Sequence, residues 1–261
     1  MSDEMNLLVD DLVAEQETLD AQLRDVPAAR WETPSPADGW LLRDCIAHLT
    51  EFDQTAAFIA ETREPMPRGG PPPAPPLSGR QAEARALTVE ELIVRWRDAR
   101  TRLAVALRPL DPKTRLPWAG PTMSARSFGT ARLMECWSHG LDAIEAAGKT
   151  PVDSDRLRHI AQLGFMTREF AYRTRGMDAP AEPLRVELEA PSGALWTWGP
   201  EDAPQRIRGS AGEFCRVVTQ GISYLDTALK TEGEGAAEFL RVAQAFAGPP
   251  GPGRPPRGKP A

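Results

Sequence analysis

The chain has 261 residues, of which 41% are hydrophobic and 26% are charged, and its formal net charge is −6. That length and apolar content suffice for one large domain or two smaller ones, each with a core. The acidic balance, without a Lys/Arg cluster, argues against nucleic-acid binding. No stretch of the sequence reaches the roughly 18 apolar residues that a membrane-spanning helix needs.

Four amphipathic helices are predicted in the first 150 residues. Thr88 and Glu91 form a capping box at the start of the third helix. Four helices joined by loops predict a helix bundle. Apolar residues recur at helical spacing over 7–26, 41–63 and 89–107, and in a fourth segment that follows a loop at 111–127 and ends near Gly148.

A proline-rich segment, Glu64 to Gly79, separates the second and third predicted helices. Its composition is incompatible with regular structure, and it is longer than a bundle turn requires. One interpretation is a lid over a pocket, hinged at Gly69-Gly70 and Gly79. The other, which we favour slightly, is a surface insertion that costs little entropy.

The patterning becomes mixed after residue 150. In LRVELEA (184–190) apolar and charged residues alternate, as in a half-buried strand. We expect ALWTWG (194–199) to form its hairpin partner and QRIRG (205–209) to form a third strand. Helices are predicted over 154–175, over 212–220 with a capping box of Ser210 and Glu213, and over 235–247.

These elements predict an α+β protein in three parts. Residues 1–150 form the four-helix bundle, and residues 151–247 form a small α/β domain. Residues 248–261 form a tail, GPPGPGRPPRGKPA, whose Pro/Gly-rich composition predicts disorder.

The motif ECWSH in the fourth helix places Glu135 and His139 four residues apart. Such residues share one helix face, with Cβ atoms about 5–6 Å apart, so both side chains can reach one ion. His48, on the apolar side of the second helix, is the candidate third ligand. His159, among arginines, is interpreted as a helix-surface residue. Two histidines and one glutamate, with the fourth position left to water or substrate, are typical of a catalytic zinc site.

Simpler interpretations exist for each part of this motif. A Glu-x-x-x-His pair often arises by chance, and a histidine on an apolar face is often a hydrogen-bonded core residue. Cys45, three residues before His48, is either a thiolate ligand or, as we favour, a small buried apolar residue. Asp44 and Asp142 either orient the histidine rings as hydrogen-bond acceptors or are solvated charges.

The number and spacing of the cysteines indicate the cellular compartment. Cys45, Cys136 and Cys215 are odd in number and widely spaced, so no disulfide framework is implied. The acidic start, MSDEMNLLVDD, differs from a signal peptide. We therefore expect a cytoplasmic protein that contacts neither nucleic acid nor membrane.

Two motifs, W…DCIAHLTEFD and ARLMECWSHGLDAIEAAG, lie some ninety residues apart. Together they resemble the N-terminal domain of the mycothiol-dependent maleylpyruvate isomerases, which belong to the DinB-like superfamily of four-helix-bundle metalloproteins. The resemblance covers roughly residues 5–148 and implies zinc bound by His48, Glu135 and His139. It is nearest to an actinobacterial subgroup described only as metal-binding. The C-terminal part is similar to the family only in general plan, somewhat like sterol-carrier folds.

The resemblance implies an isomerase or S-transferase in which one divalent ion activates a low-molecular-weight thiol, such as mycothiol, for attack on a small electrophilic substrate. Zinc is the expected ion, although the donor set also suits nickel, iron or manganese. Arg132, one turn before Glu135, is the candidate to hold a substrate carboxylate. An outward-facing salt bridge is an interpretation of Arg132 with at least equal weight. Trp118 is the candidate wall of the pocket mouth.

The rival class is a non-catalytic metal-binding or small-ligand-binding module. In either class, we expect small-molecule partners and a chain that is a monomer or a homodimer.

Overall fold

The computed structural model describes residues 3–65, 83–118 and 120–257. The chain divides into two compact units, Met1–Pro151 and Val152–Ala261. Most of the proline-rich segment 64–79 lies outside the described residues, so its two interpretations stay predictions. Within the described ranges, no helix combines the length and the apolar character that crossing a membrane demands.

The first unit contains the four predicted long helices. Helix α2 packs against α3 and α4, and α1 packs against α4 and, less extensively, α3. Their inward faces carry apolar residues at helical spacing, such as Leu8, Leu12 and Leu19 of α1, which are all buried. The helices are α1 Asp3–Leu23, α2 Leu42–Thr62, α3 Val89–Leu107 and α4 Ala125–Ala146.

Two glycines set how closely α1 approaches α4. A Cβ atom added to Gly129 would lie 3.0 Å from Leu8 of α1, and one added to Gly140 would lie 3.3 Å from Leu19. Both distances are tighter than ordinary side-chain contacts. The absence of these two Cβ atoms therefore fixes the helix that carries the ECWSH motif against its neighbour.

The prediction of a loop over 111–127 was wrong for most of its length. Strand β1, Arg115–Trp118, pairs antiparallel with strand β2, Gly120–Ser124. The apolar residues of the two strands are few, so periodicity gave no strand signal there. Ser124 also caps α4, because its Oγ accepts a hydrogen bond from the Ser127 backbone N–H at 3.1 Å.

The second unit is built on a four-stranded sheet in the order β4-β3-β5-β6. The predicted hairpin is confirmed, with β4 antiparallel to β3, and β5 then pairs with β3 in parallel. A fourth strand, not predicted, pairs antiparallel with β5. The strands are β3 Leu184–Glu189, β4 Leu195–Trp198, β5 Gln205–Ser210 and β6 Lys230–Glu232.

One face of this sheet is apolar and the other is charged. Leu184, Val186 and Leu188 are buried, as their alternation predicts. Helix α7 packs against β3 and β5, and α8 packs against β5 and β6. The helices of the second unit are α5 Leu157–Met166, α6 Arg168–Arg173, α7 Ala211–Val218 and α8 Glu234–Val242. The expected α+β class is confirmed.

Two predicted helices have different bounds in the structure. The single helix expected over 154–175 is interrupted at Thr167, whose ψ of 8° departs from helical geometry. The last helix ends at Val242 instead of continuing to residue 247. Ala243 adopts an extended ψ of 137°, and the Ala245 backbone N–H donates to the Val218 carbonyl at 2.8 Å.

One of the two predicted capping boxes forms. The Thr88 side chain accepts from the Glu91 N–H at 3.2 Å, and Glu91 Oε2 accepts from the Thr88 N–H at 2.8 Å. The second box was wrong, because Ser210 makes no side-chain cap to α7. Glu213 instead accepts a hydrogen bond from the Ala228 backbone N–H at 3.0 Å.

The described part of the tail, 248–257, contains neither helix nor strand. It is nevertheless held to the second unit by hydrogen bonds. Arg175 donates to the Gly251 carbonyl at 3.3 Å, and the Arg257 backbone N–H donates to Asp226 at 2.9 Å. Residues 258–261 lie outside the described residues.

Candidate metal centre

Three side chains from α2 and α4 converge in the first unit. The Nε2 atoms of His48 and His139 each lie 3.3 Å from Oε2 of Glu135. One ligand atom from each of the three residues lies within 4.8 Å of the other two. The structure thus brings together the three residues that the sequence singled out. His159 is not part of the group and lies half-buried in α5 of the second unit.

The spacing of these donor atoms suits a metal ion. In a tetrahedral site with bonds of about 2.0–2.1 Å to nitrogen and oxygen, neighbouring donors lie roughly 3.3 Å apart. Both nitrogen–oxygen distances at Glu135 have this value. Two imidazoles and one carboxylate are also the donor set of open, three-ligand zinc sites. The residues present therefore fit a divalent ion.

The protonation states of the cluster favour metal binding. Burial lowers the pKa of His48 to about 4, with a further lowering from the adjacent His139. Burial alone would raise the pKa of Glu135. Hydrogen bonds with His139 and His48 and the charge of Arg132 outweigh that effect, so this pKa lies well below its usual value. At neutral pH, His48 is a neutral donor and Glu135 is an anion.

Aromatic side chains surround the histidine rings. Trp40 stacks on His139 with 5.2 Å between ring centroids and also contacts His48 at 5.1 Å. The ring centroid of Phe52 lies 4.4 Å from that of His48 and 6.0 Å from that of Trp118. Trp40 and Phe52 were not predicted as site residues. The signal for both was their presence in W…DCIAHLTEFD, one motif with His48.

Arg132 lies inside the unit, and the alternative of an outward-facing salt bridge was wrong. Its side chain is 3% exposed. The guanidinium lies 4.9 Å from the centroid of Trp118 and 5.6 Å from that of Phe52. Its Nη2 atom is 3.7 Å from Oε1 of Glu135, which is beyond hydrogen-bond length, and its buried Nη1 atom finds no hydrogen-bond partner within the described ranges. A buried cation with a free donor is thus located beside the three donor residues.

Asp53 is a second buried ionisable residue near the site, and it was not predicted. It lies on α2, is almost fully buried, and accepts a hydrogen bond from Gln16 Nε2 at 3.2 Å. Burial raises the pKa of Asp53 to about 7, although the charge of Arg132 opposes this rise. Residue type alone gave no signal, because the burial of position 53 depends on contacts with residues distant in sequence, such as Gln16 of α1.

The remaining residues proposed around the site have other roles. Asp44 does not orient His48, because its carboxylate accepts bonds from Arg85 at 2.5 and 2.9 Å and from the Leu41 N–H at 2.8 Å. Asp142 Oδ2 lies 4.0 Å from His139 Nδ1, too far for a hydrogen bond. Cys45 is fully buried in an apolar cluster, and burial raises the pKa of its thiol, as expected for an apolar residue rather than a ligand.

Two protein families match parts of the sequence. The family described as "Mycothiol maleylpyruvate isomerase N-terminal domain" matches residues 12–144, about half of the chain, including all three donor residues. The family described as "Wyosine base formation" matches residues 180–231, a short part of the second unit that contains β3, β4, β5 and most of β6. The second match is too short to assign the chain to a family by itself.

Related proteins and structures cover nearly the whole chain. Two proteins from two strains of Mycobacterium tuberculosis, both described as uncharacterized, are 44% identical over 252 residues, which are 94% of this chain and 97% of theirs. A crystal structure of the mycothiol-dependent maleylpyruvate isomerase is similar with a TM-score of 0.58 and 18% identity, over 88% of this chain and 95% of that one. A mutant of that enzyme gives a TM-score of 0.54 at 20% identity, over 83% and 91%. At these identities, the structural likeness shows the fold.

Proposed function

Since the chain belongs to the family of the mycothiol maleylpyruvate isomerase N-terminal domain, we propose that it is a thiol-dependent isomerase or S-transferase with one divalent metal ion held by His48, Glu135 and His139. The observation that carries the proposal is the convergence of three metal-ligating side chains from two helices, with a nitrogen of each histidine 3.3 Å from the same oxygen of Glu135. Zinc is the ion we propose, because His₂Glu with an open position is a common zinc set.

A divalent ion bound at these residues supplies a positive charge that stabilises a thiolate sulfur at neutral pH. The protein side chains supply the rest of the environment. Glu135 brings one negative charge and two neutral imidazoles bring none, so the three ligands leave the site cationic when it is loaded. Trp40 and Phe52 keep water from the faces of the histidine rings. A site of this charge favours an anionic sulfur over a neutral thiol.

Arg132 is proposed to hold a carboxylate of the substrate, with Trp118 as the wall beside it. A buried donor without an acceptor costs about 1–3 kcal/mol, and more when it is charged. A ligand carboxylate would supply the acceptor that Nη1 lacks. The flat guanidinium against the Trp118 ring, at 4.9 Å, also favours a planar group in this position.

The reaction that suits this arrangement is addition of a thiolate sulfur to an electrophilic carbon of a small carboxylate. Arg132 would orient the substrate through its carboxylate while the sulfur forms the new carbon–sulfur bond and the π electrons of the substrate's carbon–carbon double bond move onto its conjugated carbonyl group. If the adduct rotates about a carbon–carbon single bond and then expels the thiol, the product is an isomer. If the adduct instead takes up a proton from water and is released, the enzyme is an S-transferase. Mycothiol is the proposed thiol, because the structurally similar enzyme is described as mycothiol-dependent.

The alternative is a metal-binding or small-ligand-binding module without catalysis. It is favoured by the same three donors, since they need no thiol to hold an ion. The two functions differ in what happens to a thiol. Only an enzyme consumes mycothiol or recycles it through a carbon–sulfur adduct.

The test measures the metal and the chemistry on the same preparation. Elemental analysis of protein purified without chelator should give about one divalent ion per chain, as three ligands at one point predict. The loaded protein is then screened with mycothiol against unsaturated carboxylates, and thiol loss and isomer formation are followed by chromatography. Metal uptake without any turnover would support the binding module. If no ion is present and none is taken up on addition, the metal proposal is wrong.

A further inference from the structure

We propose that Trp40 is a positioning residue of the metal centre and that its indole ring holds the imidazole of His139 in the orientation needed for metal binding. The inference rests on the metal site proposed above and assigns a role to a side chain that is not a ligand. Trp40 precedes α2 by two residues, so it reaches the centre from a loop rather than from either ligand-bearing helix.

The three rings form a mutually contacting cluster. The Trp40 and His139 planes are nearly parallel, at 12°, with centroids 5.2 Å apart. Trp40 contacts His48 at 5.1 Å with a tilt of 55°, and the two imidazoles lie 4.4 Å from each other. A single indole therefore contacts both imidazoles, lying parallel to one and tilted against the other.

The contact with Trp40 matters because the second ring nitrogen of His139 lacks the hydrogen bond that usually orients a metal-binding histidine. A metal-binding histidine normally donates its other ring N–H to a carboxylate, a carbonyl or a water, which fixes the ring orientation. Here the buried Nδ1 of His139 has no hydrogen-bond partner among the described residues, and Asp142 is 4.0 Å away. Stacking on the indole restrains rotation of the ring instead. Offset-stacked aromatic pairs are favourable beyond the apolar area that they bury.

The backbone around Trp40 is built to hold the indole in place. The Ser35 N–H donates to the Trp40 carbonyl at 2.8 Å, and the Trp40 N–H donates to the Ala37 carbonyl at 3.0 Å. Gly39, with φ of 74°, makes the turn that brings Trp40 back toward the start of α2. The indole itself is buried in an apolar cluster with residues of α2 and α4. Trp40 is thus anchored through both its backbone and its ring.

The role predicts different effects for two substitutions. Trp40→Leu removes the aromatic face while keeping an apolar side chain, and should weaken Zn²⁺ binding about tenfold, the lower end of the usual loss for partners that orient metal ligands. Trp40→Phe keeps a smaller ring and should weaken Zn²⁺ binding about threefold. The matched control is Trp31→Leu. Trp31 is 1% exposed and belongs to the same apolar cluster, but its Nε1 donates to the Val26 carbonyl at 3.4 Å, away from the histidines.

The experiment compares full-length wild-type, Trp40→Leu, Trp40→Phe and Trp31→Leu proteins. Zn²⁺ affinity is measured by competition with a chromophoric chelator, and the visible absorption of the Co²⁺-loaded proteins reports ligand geometry. We expect weaker Zn²⁺ binding and a shifted Co²⁺ spectrum in Trp40→Leu, and smaller changes of the same kind in Trp40→Phe. Trp31→Leu should have the wild-type affinity and spectrum. If Trp40→Leu does not fold, the threefold loss and shifted spectrum of Trp40→Phe decide the question.

Failure of this inference is distinct from failure of the metal site. Wild-type affinity and an unchanged Co²⁺ spectrum in the folded Trp40 variants overturn the role of Trp40 alone. An equal loss in Trp31→Leu also overturns it, because the effect would then be general destabilisation. No uptake of Co²⁺ or Zn²⁺ by the wild-type protein overturns the metal proposal, and the inference with it.

Discussion

Glu135 in the first unit and Glu187 in the second have the same side-chain exposure, 18%, and each faces three nitrogen-bearing side chains. Around Glu187, Arg185, Arg206 and Arg208 donate hydrogen bonds of 3.1, 2.8 and 2.7 Å. Around Glu135, the corresponding distances are 3.3, 3.3 and 3.7 Å. Each of these contacts at Glu135 is longer than each of the three at Glu187.

The difference between the two histidines and the arginines follows from the length and flexibility of their side chains. The arginines around Glu187 are long and flexible, so they can close on the carboxylate until every contact is a hydrogen bond. The imidazoles of His48 and His139 have short stems and are held by packed rings. The two imidazoles lie 3.3 Å from Glu135, a long hydrogen bond whose length also suits two ligands of one ion, whereas the arginines around Glu187 make shorter hydrogen bonds. A buried polar cluster with long internal contacts is thus a better sign of a binding site than the residue types alone.

The largest effect is expected for replacing Glu135, with the same replacement of Glu187 as the matched control. Glu135→Gln removes an anionic ligand and should weaken Zn²⁺ binding by more than about 100-fold, exceeding the loss typical of a residue outside the ligand set. Glu187→Gln should leave Zn²⁺ binding unchanged. Both are measured by chelator competition. His139→Gln should likewise lose Zn²⁺, whereas His159→Gln should keep it. Metal loss in His159→Gln would mean that the site has been assigned to the wrong helix.

The next effect compares two buried aspartates of the first unit. Asp20 accepts bonds from Arg97 and Arg100 at 2.6–2.9 Å, whereas Asp53 has no ion pair of hydrogen-bond length in the described part of the chain. Burial raises the pKa of Asp53 to about 7, from an ordinary value of 3.8. Between these values, the folded state holds a proton that the unfolded state has lost. The free energy of unfolding therefore falls as pH rises.

We expect metal-free wild-type protein to lose roughly 2 kcal/mol relative to Asp53→Asn between pH 5 and pH 7, at about 1.36 kcal/mol per unit. The measurement is urea denaturation in a chelator at each pH. Asp20→Asn is the control with the opposite sign, because the arginines lower the pKa of Asp20 despite its burial. Its contribution to stability is present above pH 4 and is lost as the pH falls further. Parallel pH curves for wild type and Asp53→Asn would contradict the raised pKa.

A smaller effect is expected for the cation beside the metal site. Arg132→Met removes the unsatisfied guanidinium and should weaken binding of a substrate carboxylate about tenfold, the value of one hydrogen bond to a charged group. Binding is measured by calorimetry with metal-loaded protein. The control is Arg208→Met, which should bind the carboxylate like wild type, since its guanidinium is already occupied by Glu187.

The smallest effect should be the stability cost of that same control. Arg208 is half exposed and shares Glu187 with two other arginines. Arg208→Met should lower the free energy of unfolding by less than about 1 kcal/mol, because exposed ion pairs contribute little and salt screens them. The cost should shrink further in 0.5 M salt. A loss of several kcal/mol would mean that the Glu187 cluster is a stabilising core element and not a solvated network.

What the sequence could predict was set by local spacing. The Glu-x-x-x-His spacing in α4 fixes Glu135 and His139 on one face, and the apolar side of α2 carries His48 inward, so all three donors were predictable. The burial of Arg132 was not, because an arginine between Ala131 and Leu133 has the same local pattern whether it faces water or the interior. Its orientation depends on Phe52 and Trp118, which arrive from other elements.

The features that were missed depend on pairings distant in sequence. Strand β6 has three residues and gains its identity from pairing with β5. The β1–β2 hairpin likewise has too few apolar residues to show alternation. Trp40 was visible in the motif, but its stacking on His139 depends on contact between residues about a hundred positions apart. Periodicity in the sequence indicates the conformation and the buried face of a single helix or strand. The missed features depend on contacts between two such elements.

His48 and Glu135 are separated by 87 positions in the chain. During synthesis, one ligand leaves the ribosome long before the other two, so a nascent chain cannot present the set to any ion. In the proposed site, the complete ligand set would exist only in the folded protein, whose geometry would limit which ions fit. For the proposed metal site, folding would therefore precede metal loading. The supply of ions at that later moment would decide which one the protein carries.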